Sequence, residues 1–347
     1  MVKTLANEAL FDMSDRGRLA PVADGLPRPL WSVMIPTHNC AGYLRQTLRS
    51  VLSQDPGPDA MQIEVVDDAS TKDAPEAVVQ ELGHGRVAFH RQAVNVGHSA
   101  NFQTCLERSR GRIVHLLHGD DAVRPGFYQK MGAAFEQASQ IGAAFCRQVY
   151  IDEQGGKIWE SPLERASSGV LDNWLRRIAV RQLIQTPSIV VAREIYEQIG
   201  TFDRRLSWVE DWEMWVRIAA FSNVWFETEQ LALYRVHGNS STSRQLRTAE
   251  NLRDVRRAIS IIRRYLPSEW ADASMNASLA FWADDALRNR VPTFIRNGDL
   301  AAARAQIEEA LRCSRSPATI AALATLVPVL AGAMVRRMRS RFREATR

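Results

Sequence analysis

The chain has 347 residues, 46% hydrophobic and 24% charged, which suits an ordinary globular protein with one large domain and an appendage or a second domain. Its formal net charge of +5 equals that of residues 336–347 alone, six Arg and one Glu, so the remainder is neutral and argues against a nucleic-acid groove. Four cysteines without metal spacing and an N-terminus without an apolar signal core lead to an expectation of unpaired thiols and a cytoplasmic location.

Residues 1–29 lack periodicity, run into the Pro-containing "GLPRPL", and are expected to form an N-terminal extension. From Trp31 strand and helix signals alternate. "WSVMIP" is a short apolar strand, and "AGYLRQTLRSVLSQ" sets Tyr43, Leu44, Leu48, Val51 and Leu52 at helical spacing. "MQIEVVDDAS" is a second strand ending in acid, "APEAVVQEL" a short helix and "RVAFHRQ" a third strand. "HSANFQTCLERSRG" is a helix with Gly111 as its stop, and "RIVHLLHGDD" is the fourth strand. This β-α-β-α-β-α-β order predicts an α/β domain on a largely parallel sheet covered on both faces.

Beyond "GAAFCRQVYIDEQGG" the alternation weakens until "WVEDWEMWVRIAAFS", an aromatic-rich helix opening on Glu210 and Asp211. "NVWFETEQLALYRVHGNSSTS" closes the region with strand-like segments. From about Thr248 the chain reads as helical. "GDLAAARAQIEEALR" starts after Asn-Gly-Asp and puts Leu300, Ala303, Ile307 and Leu311 on one stripe. Residues 318–335 are 18 uncharged residues followed at once by "RRMRSRFREATR". Their length admits a membrane span, but cytoplasmic arginines would then put the preceding domain outside, so an interfacial helix with a polybasic flank is favoured over a span. An Ala-rich helix buried against the body has nearly equal standing.

In parallel sheets ligands gather beyond the carboxyl ends of the strands. "IPTHN", "VVDDAS" and "LHGDD" are such ends and should converge. Asp67-Asp68, Asp120-Asp121 and Glu210-Asp211 each read, taken singly, as turn or N-cap chemistry. Together they suggest a phosphate-bearing ligand held through a divalent cation, because carboxylates repel bare phosphate and suit Mg²⁺ or Mn²⁺.

Five segments, "WSVMIPTHNCAGYLRQTLRSVLSQ", "EVVDDAS", "NVGHSANFQTCLERSRGRIVHLLHGDDAVRPGF", "VEDWEMWVRIA" and "LALYRVHGNSSTS", occur in the order found in family 2 glycosyltransferases. The resemblance covers roughly residues 31–245. It implies an inverting enzyme on the GT-A (nucleotide-diphospho-sugar transferase) fold, a Rossmann-like mixed sheet flanked by helices. The expected domains are residues 1–29 as extension, 30–247 as the GT-A glycosyltransferase domain, 248–315 as a helical C-terminal region and 316–347 as a membrane-associating tail.

By that resemblance Pro36 and Thr37 lie along the nucleobase, Asp68 accepts a hydrogen bond from the base edge, and Asn95 and Gly97 approach the nucleotide, with Asp67 ordering the loop. His98 reads as a bystander. Asp120 is the last acid of the family's D-x-D motif and the expected cation ligand, with Asp121 supporting it. His118 stands where the first acid belongs; an imidazole there can hydrogen-bond ribose or ligate Mn²⁺ but brings no negative charge. His237 resembles a late metal or diphosphate ligand, and Arg235 with the Ser-rich stretch after it a phosphate-contacting loop. Asp211 matches the general base and Glu210 its neighbour, while Trp208, Trp212 and Trp215 divide between sugar stacking and core. The Q-x-x-R-W signature of processive enzymes is absent.

These readings lead to a non-processive glycosyltransferase at the inner face of the cell membrane. It would use Mn²⁺ or Mg²⁺ to move a sugar from a nucleotide-diphosphate donor, UDP-linked first, to a glycan or lipid-linked acceptor in polysaccharide or cell-surface glycan synthesis. The alternative is a catalytically silent nucleotide-sugar-binding scaffold of the same fold.

Overall fold

The computed structural model describes residues 8–138, 140–238 and 241–332. They fall into two compact units. One comprises Met1–Ile178, Gln182–Arg205 and Glu210–His237, the other Ala179–Arg181, Leu206–Val209 and Gly238–Arg347.

The first unit is built on a sheet. Its strands are β1 (Trp31–Thr37), β2 (Met61–Asp67), β3 (Ala88–Arg91), β4 (Ile113–Leu116), β5 (Ala122–Val123), β6 (Ile141–Ile151), β7 (Lys157–Glu160), β8 (Gly169–Val170), β9 (Ile189–Ala192) and β10 (Asn223–Arg235). The order is β3-β2-β1-β4-β9-β6-β10-β5, with β7 added to β6 and β8 to β10. The helices are α1 (Ala41–Leu52), α2 (Pro75–Gly83), α3 (His98–Arg108), α4 (Phe127–Gln137), α5 (Trp174–Ile178), α6 (Arg193–Ile199) and α7 (Glu210–Phe221).

Strands β1 to β4 pair in parallel, as the alternation predicts, and every residue of β1 and β2 is buried. The sheet does not stay parallel. The short β9 runs antiparallel to both β4 and β6, which makes the whole sheet mixed. The expected stop at Gly111 also moves: α3 ends at Arg108, where Ser109 turns extended and its hydroxyl bonds the Leu106 carbonyl.

The N-terminal extension is strapped to this unit from residue 8 onward. Leu10 and Leu19 are buried, and the Arg16 guanidinium donates to the carbonyls of Ala9, Leu10 and Ile199. Gly17 accepts from the Thr201 N–H at 2.9 Å, and Ala20 accepts from Arg193.

Helix α7, which opens with the acidic pair, is anchored by a buried charge. Arg217 and Glu213 are both fully buried, one turn apart, and joined by two hydrogen bonds of 3.0 and 2.9 Å. The same guanidinium donates to the carbonyls of Ile199, Gly200 and Thr201. Trp212 and Trp215 on this helix are core, with the Trp212 indole donating to the Ile178 carbonyl at 2.7 Å.

The second unit is helical: α8 (Ser241–Thr248), α9 (Glu250–Ile262), α10 (Ser268–Asp285), α11 (Val291–Arg296), α12 (Leu300–Cys313) and α13 (Pro317–Ala324). Asp299 caps α12 as its sequence predicts, accepting from the Ala302 N–H. Of the expected stripe on α12 only Ala303 is fully buried. Leu300 is exposed and Ile307 and Leu311 are half-buried, whereas Gln306 and Glu309 are buried. Partners explain this: Gln306 donates to the Leu246 carbonyl and to Asn251, and Glu309 accepts from Arg253, Arg256 and Arg312. Trp208 belongs to this unit, its ring 5.7 Å from that of Trp282 and beneath Arg290.

The apolar C-terminal run is broken. Helix α13 stops at Ala324, Thr319, Ala322 and Leu326 are buried, and Ile320 and Val327 face solvent. Among the described residues no helix is long and apolar enough to cross a membrane. The polybasic segment 336–347 lies outside the described residues.

Removing one member of a buried ion pair costs about 3–5 kcal/mol because it strands the other charge. Arg217→Met is therefore expected to lower the urea midpoint by that order of stability. The double variant Glu213→Gln/Arg217→Met should recover part of the loss, and chemical denaturation of the three proteins checks both.

Candidate active site

The predicted convergence is realised at the ends of β1, β2 and β4. Asp67, at the end of β2, accepts from the Ser70 N–H and hydroxyl and from Arg91, so it orders its loop as expected. Asp68 does similar work one step further out. Its two carboxylate oxygens accept from the N–H groups of Val96 and Gly97 at 2.7 and 3.0 Å. Asn95 donates to the Asp68 carbonyl, and Gly97 takes a φ of +84° ahead of α3, a conformation that favours glycine. Asp68, Asn95 and Gly97 thus form one interlocked loop, and Asp68 spends on that loop part of the capacity expected for a base edge.

Pro36 and Thr37 meet the turn after β4. The Gly119 N–H donates to the Pro36 carbonyl at 3.0 Å, and a Cβ on Gly119 would stand 2.9 Å from Thr37 Oγ1. The middle residue of His118-Gly119-Asp120 is glycine because β1 presses on it. Thr47 completes the turn, its hydroxyl donating to the Gly119 and Asp121 carbonyls.

Around this turn His118, Asp120 and Asp121 each offer a ligand atom, all within 4.8 Å of one another. His118 stacks on Phe102 at 5.1 Å, and burial lowers its pKa, leaving a neutral imidazole suited to a metal. Its Nδ1 lies 3.5 Å from Asp121 Oδ2, and its Nε2, on the other edge of the ring, is buried without a hydrogen-bond partner. One imidazole nitrogen and two carboxylates gathered this closely form a donor set that suits a divalent cation, so the residues present fit one.

Burial pushes the Asp121 carboxyl well up, and the Asp120 charge adds to that. For Asp120 burial acts in the same direction, but the hydrogen bond and charge of His237 outweigh it and hold the carboxyl low. His237 Nε2 lies 2.9 Å from Asp120 Oδ2, and that bond raises the imidazole pKa. His237 therefore reaches the cluster through Asp120.

Arg235 departs from its expected role as a phosphate contact. Its guanidinium donates to the carbonyls of Asp120, Asp152 and Glu153 and to Gln46, and lies 4.7 Å over the Tyr43 ring. Its N–H bonds Asp121 Oδ1 at 2.8 Å. A buried guanidinium committed to carbonyls has little left for a phosphate; it holds the turn. The start of the Ser-rich stretch, residues 239–240, lies outside the described residues.

Glu210 and Asp211 open α7. Burial pushes the Asp211 carboxyl up to about 8, the neighbouring Glu210 charge reinforces this, and the 2.7 Å bond from the Trp212 N–H offsets it only in part. Burial also acts upward on Glu210, but His98, 2.8 Å away, holds it low. His98 is thus no bystander. Its place at the start of α3, next to the nucleotide-side loop, was the sequence signal for it. Beside Asp211 stands the Gln182 amide, which also offsets part of the upward shift. The tyrosines Tyr150 and Tyr234, which sequence reasoning passed over, feel the charges of Asp211 and Asp121. All four cysteines are free, and Cys40 contacts the Thr37 hydroxyl at 2.8 Å.

Glycosyl transferase family 2 matches residues 32–190. An uncharacterized protein of Mycobacterium tuberculosis is 26% identical over 274 residues, 74% of this chain and 81% of its own length. An uncharacterized glycosyltransferase of Rickettsia typhi is 26% identical over 224 residues, 64% of this chain and 69% of its own. Residues 1–349 of S. aureus TarS, solved in complex with UDP-GlcNAc, superpose with a TM-score of 0.64 at 15% identity, over 88% of this chain and 87% of that one. The mannosyltransferase PcManGT of Pyrobaculum calidifontis, in complex with GDP-Man and Mn2+, gives 0.53 at 18% identity over 96% and 92%. With its mixed sheet, its acidic strand ends and a family match confined to residues 32–190, the chain resembles glycosyl transferase family 2 over that segment, has the GT-A fold and is a glycosyltransferase.

Proposed function

We propose that the protein is a non-processive inverting transferase that moves one sugar from a nucleoside-diphosphate donor to a hydroxyl of a glycan or lipid-linked acceptor. The observation that carries this reading is Asp211, a carboxyl raised into the general-base range beside a cluster fit for a divalent cation. Asp211 takes the proton of the acceptor hydroxyl while that oxygen bonds the anomeric carbon. The bond from that carbon to the diphosphate breaks on the opposite face, and the leaving group keeps the electron pair.

Asp120, with His118 and Asp121, would hold Mn²⁺ or Mg²⁺, which when bound supplies Lewis-acid stabilisation of the departing diphosphate. His237 orients Asp120, and His98 keeps Glu210 ionised beside the base. UDP-sugars are the first donors to test, because TarS was solved with UDP-GlcNAc; GDP-mannose belongs in the same panel because PcManGT was solved with GDP-Man.

We also infer peripheral contact with the inner face of the cell membrane through the polybasic segment 336–347, supported by its six arginines. The full chain should then co-float with anionic vesicles at low salt and dissociate at high salt. Flotation unchanged by deleting 336–347 would remove this assignment.

Asp211→Asn is expected to lower kcat by about 10²–10⁴-fold, the usual span for a general base, while UDP still raises the melting temperature. For the wild type, kcat/KM should climb with pH and level above about 8, as Asp211 in the free enzyme gives up its proton. A carboxyl whose folded pKa exceeds its unfolded value binds its proton more tightly in the fold, so stability drains away as pH rises from about 4 to about 8. Asp211→Asn should therefore melt higher than wild type at pH 8 and equal it near pH 4. Chelation should abolish release of nucleoside diphosphate, and Mn²⁺ should restore it.

A further inference from the structure

Beside the base, three aromatic side chains form a line that the reaction as described does not use. Tyr150 on β6 pairs in register with Trp159 on β7 and with Tyr234 on β10, so all three share one face of the sheet. The Trp159 and Tyr150 rings are 5.0 Å apart and the Tyr150 and Tyr234 rings 5.1 Å apart, both edge to face. The residue after Tyr234 is Arg235, whose N–H holds Asp121, so the line begins at the acidic cluster. At its far end Trp159 is 50% exposed on a strand of four residues, a large apolar ring left in water.

Amide groups flank the line. Gln185 and Gln148 face the Tyr150 hydroxyl, and Gln182 faces Asp211. Gln148 is 2% exposed and its Oε1 has no hydrogen-bond partner. An unsatisfied buried amide oxygen beside an exposed aromatic ring asks for a ligand with hydroxyls on its edge and C–H groups on its face. The two flanking cations, Lys157 and Arg147, are both paired with Glu160, which leaves that end without a ready phosphate receptor.

We propose that Trp159, Tyr150 and Gln182 form the acceptor subsite and that its occupant is an uncharged pyranose. Trp159 stacks on a sugar face, and Gln182 and Tyr150 bond hydroxyls so that one of them is presented to Asp211. The inference rests on glycosyl transfer at Asp211 and names the class of acceptor that this transfer uses.

The test measures two reactions of the full chain with the donor the panel identifies. One is release of nucleoside diphosphate in water alone, and the other is transfer to octyl glucoside, galactoside, mannoside and N-acetylglucosaminide, with glycerol 3-phosphate as the charged polyol. Trp159→Ala should raise the acceptor KM by about tenfold or more, equivalent to losing at least 1.4 kcal/mol of binding, and leave donor hydrolysis unchanged. Trp159→Phe, which keeps a ring, should fall between, and equal melting temperatures show that both variants fold. An acceptor KM unmoved by Trp159→Ala, or transfer to glycerol 3-phosphate in preference to every glycoside, overturns the subsite. Failure of the wild type to turn over any donor overturns instead the glycosyltransferase reading on which it rests.

Discussion

The site is organised around one buried cation. Arg235 ends β10, and its main chain and guanidinium together fasten Asp120, Asp121, the turn at Asp152 and Glu153, and Gln46 on α1. A guanidinium suits this because five donors in a rigid plane can serve several carbonyls at once, whereas an ammonium is a point charge. Its positive charge also sits where two adjacent carboxyls would otherwise repel. The price of burying a charge is met only when its donors are satisfied, and here carbonyl, amide and aromatic partners surround it. Asp120 can then point to His237 while Asp121 turns one oxygen to the Arg235 N–H and the other toward His118.

The second acidic pair follows another logic. Glu210 and Asp211 are adjacent, and one partner decides which keeps the charge. His98 stands against Glu210 and holds it ionised, so burial and that neighbouring charge act together on Asp211. The fold is less stable for holding this carboxyl protonated at neutral pH, where the unfolded chain would ionise it, and the fully buried Arg217–Glu213 pair one turn along fixes the helix that bears it. Strain of this kind at a base is common where function and stability pull apart.

Much of this was legible in the sequence because strand ends announce themselves. A run such as "MQIEVV" must be buried, and the Asp-Asp after it can follow only where hydrogen-bond partners gather, so the polar edge of the sheet could be read from three such boundaries. The slot of His118 and the positions of Asp120 and Asp211 followed from motif order. The antiparallel β9 did not, because four apolar residues carry no direction. Nor did the role of Arg235, since an arginine at a strand end looks the same whether it faces solvent or caps carbonyls. His98 was missed for a related reason: its partner lies more than a hundred residues away, and only the folded chain brings the start of α3 to the start of α7. On α12 the aliphatic pattern misled because Gln306 and Glu309, with amide and guanidinium partners, took buried positions.

The same reasoning joins the two ends of the site. The half of the sheet formed by β1 to β4 ends in acids and ordered loops, which suits an anionic donor and its cation. The other half, where β6 and β10 carry β7 at their side, ends in tyrosine, tryptophan and glutamine amides. Asp211 is felt from this second side through Tyr150 and Tyr234, and Asp121 is held from it through Arg235. The proposed inverting transfer must bring a charged leaving group and a neutral nucleophile to opposite faces of one carbon. A sheet whose two parallel sets of strands, β1 to β4 and β6 with β10, meet at the antiparallel β9 provides one chemical surface for each.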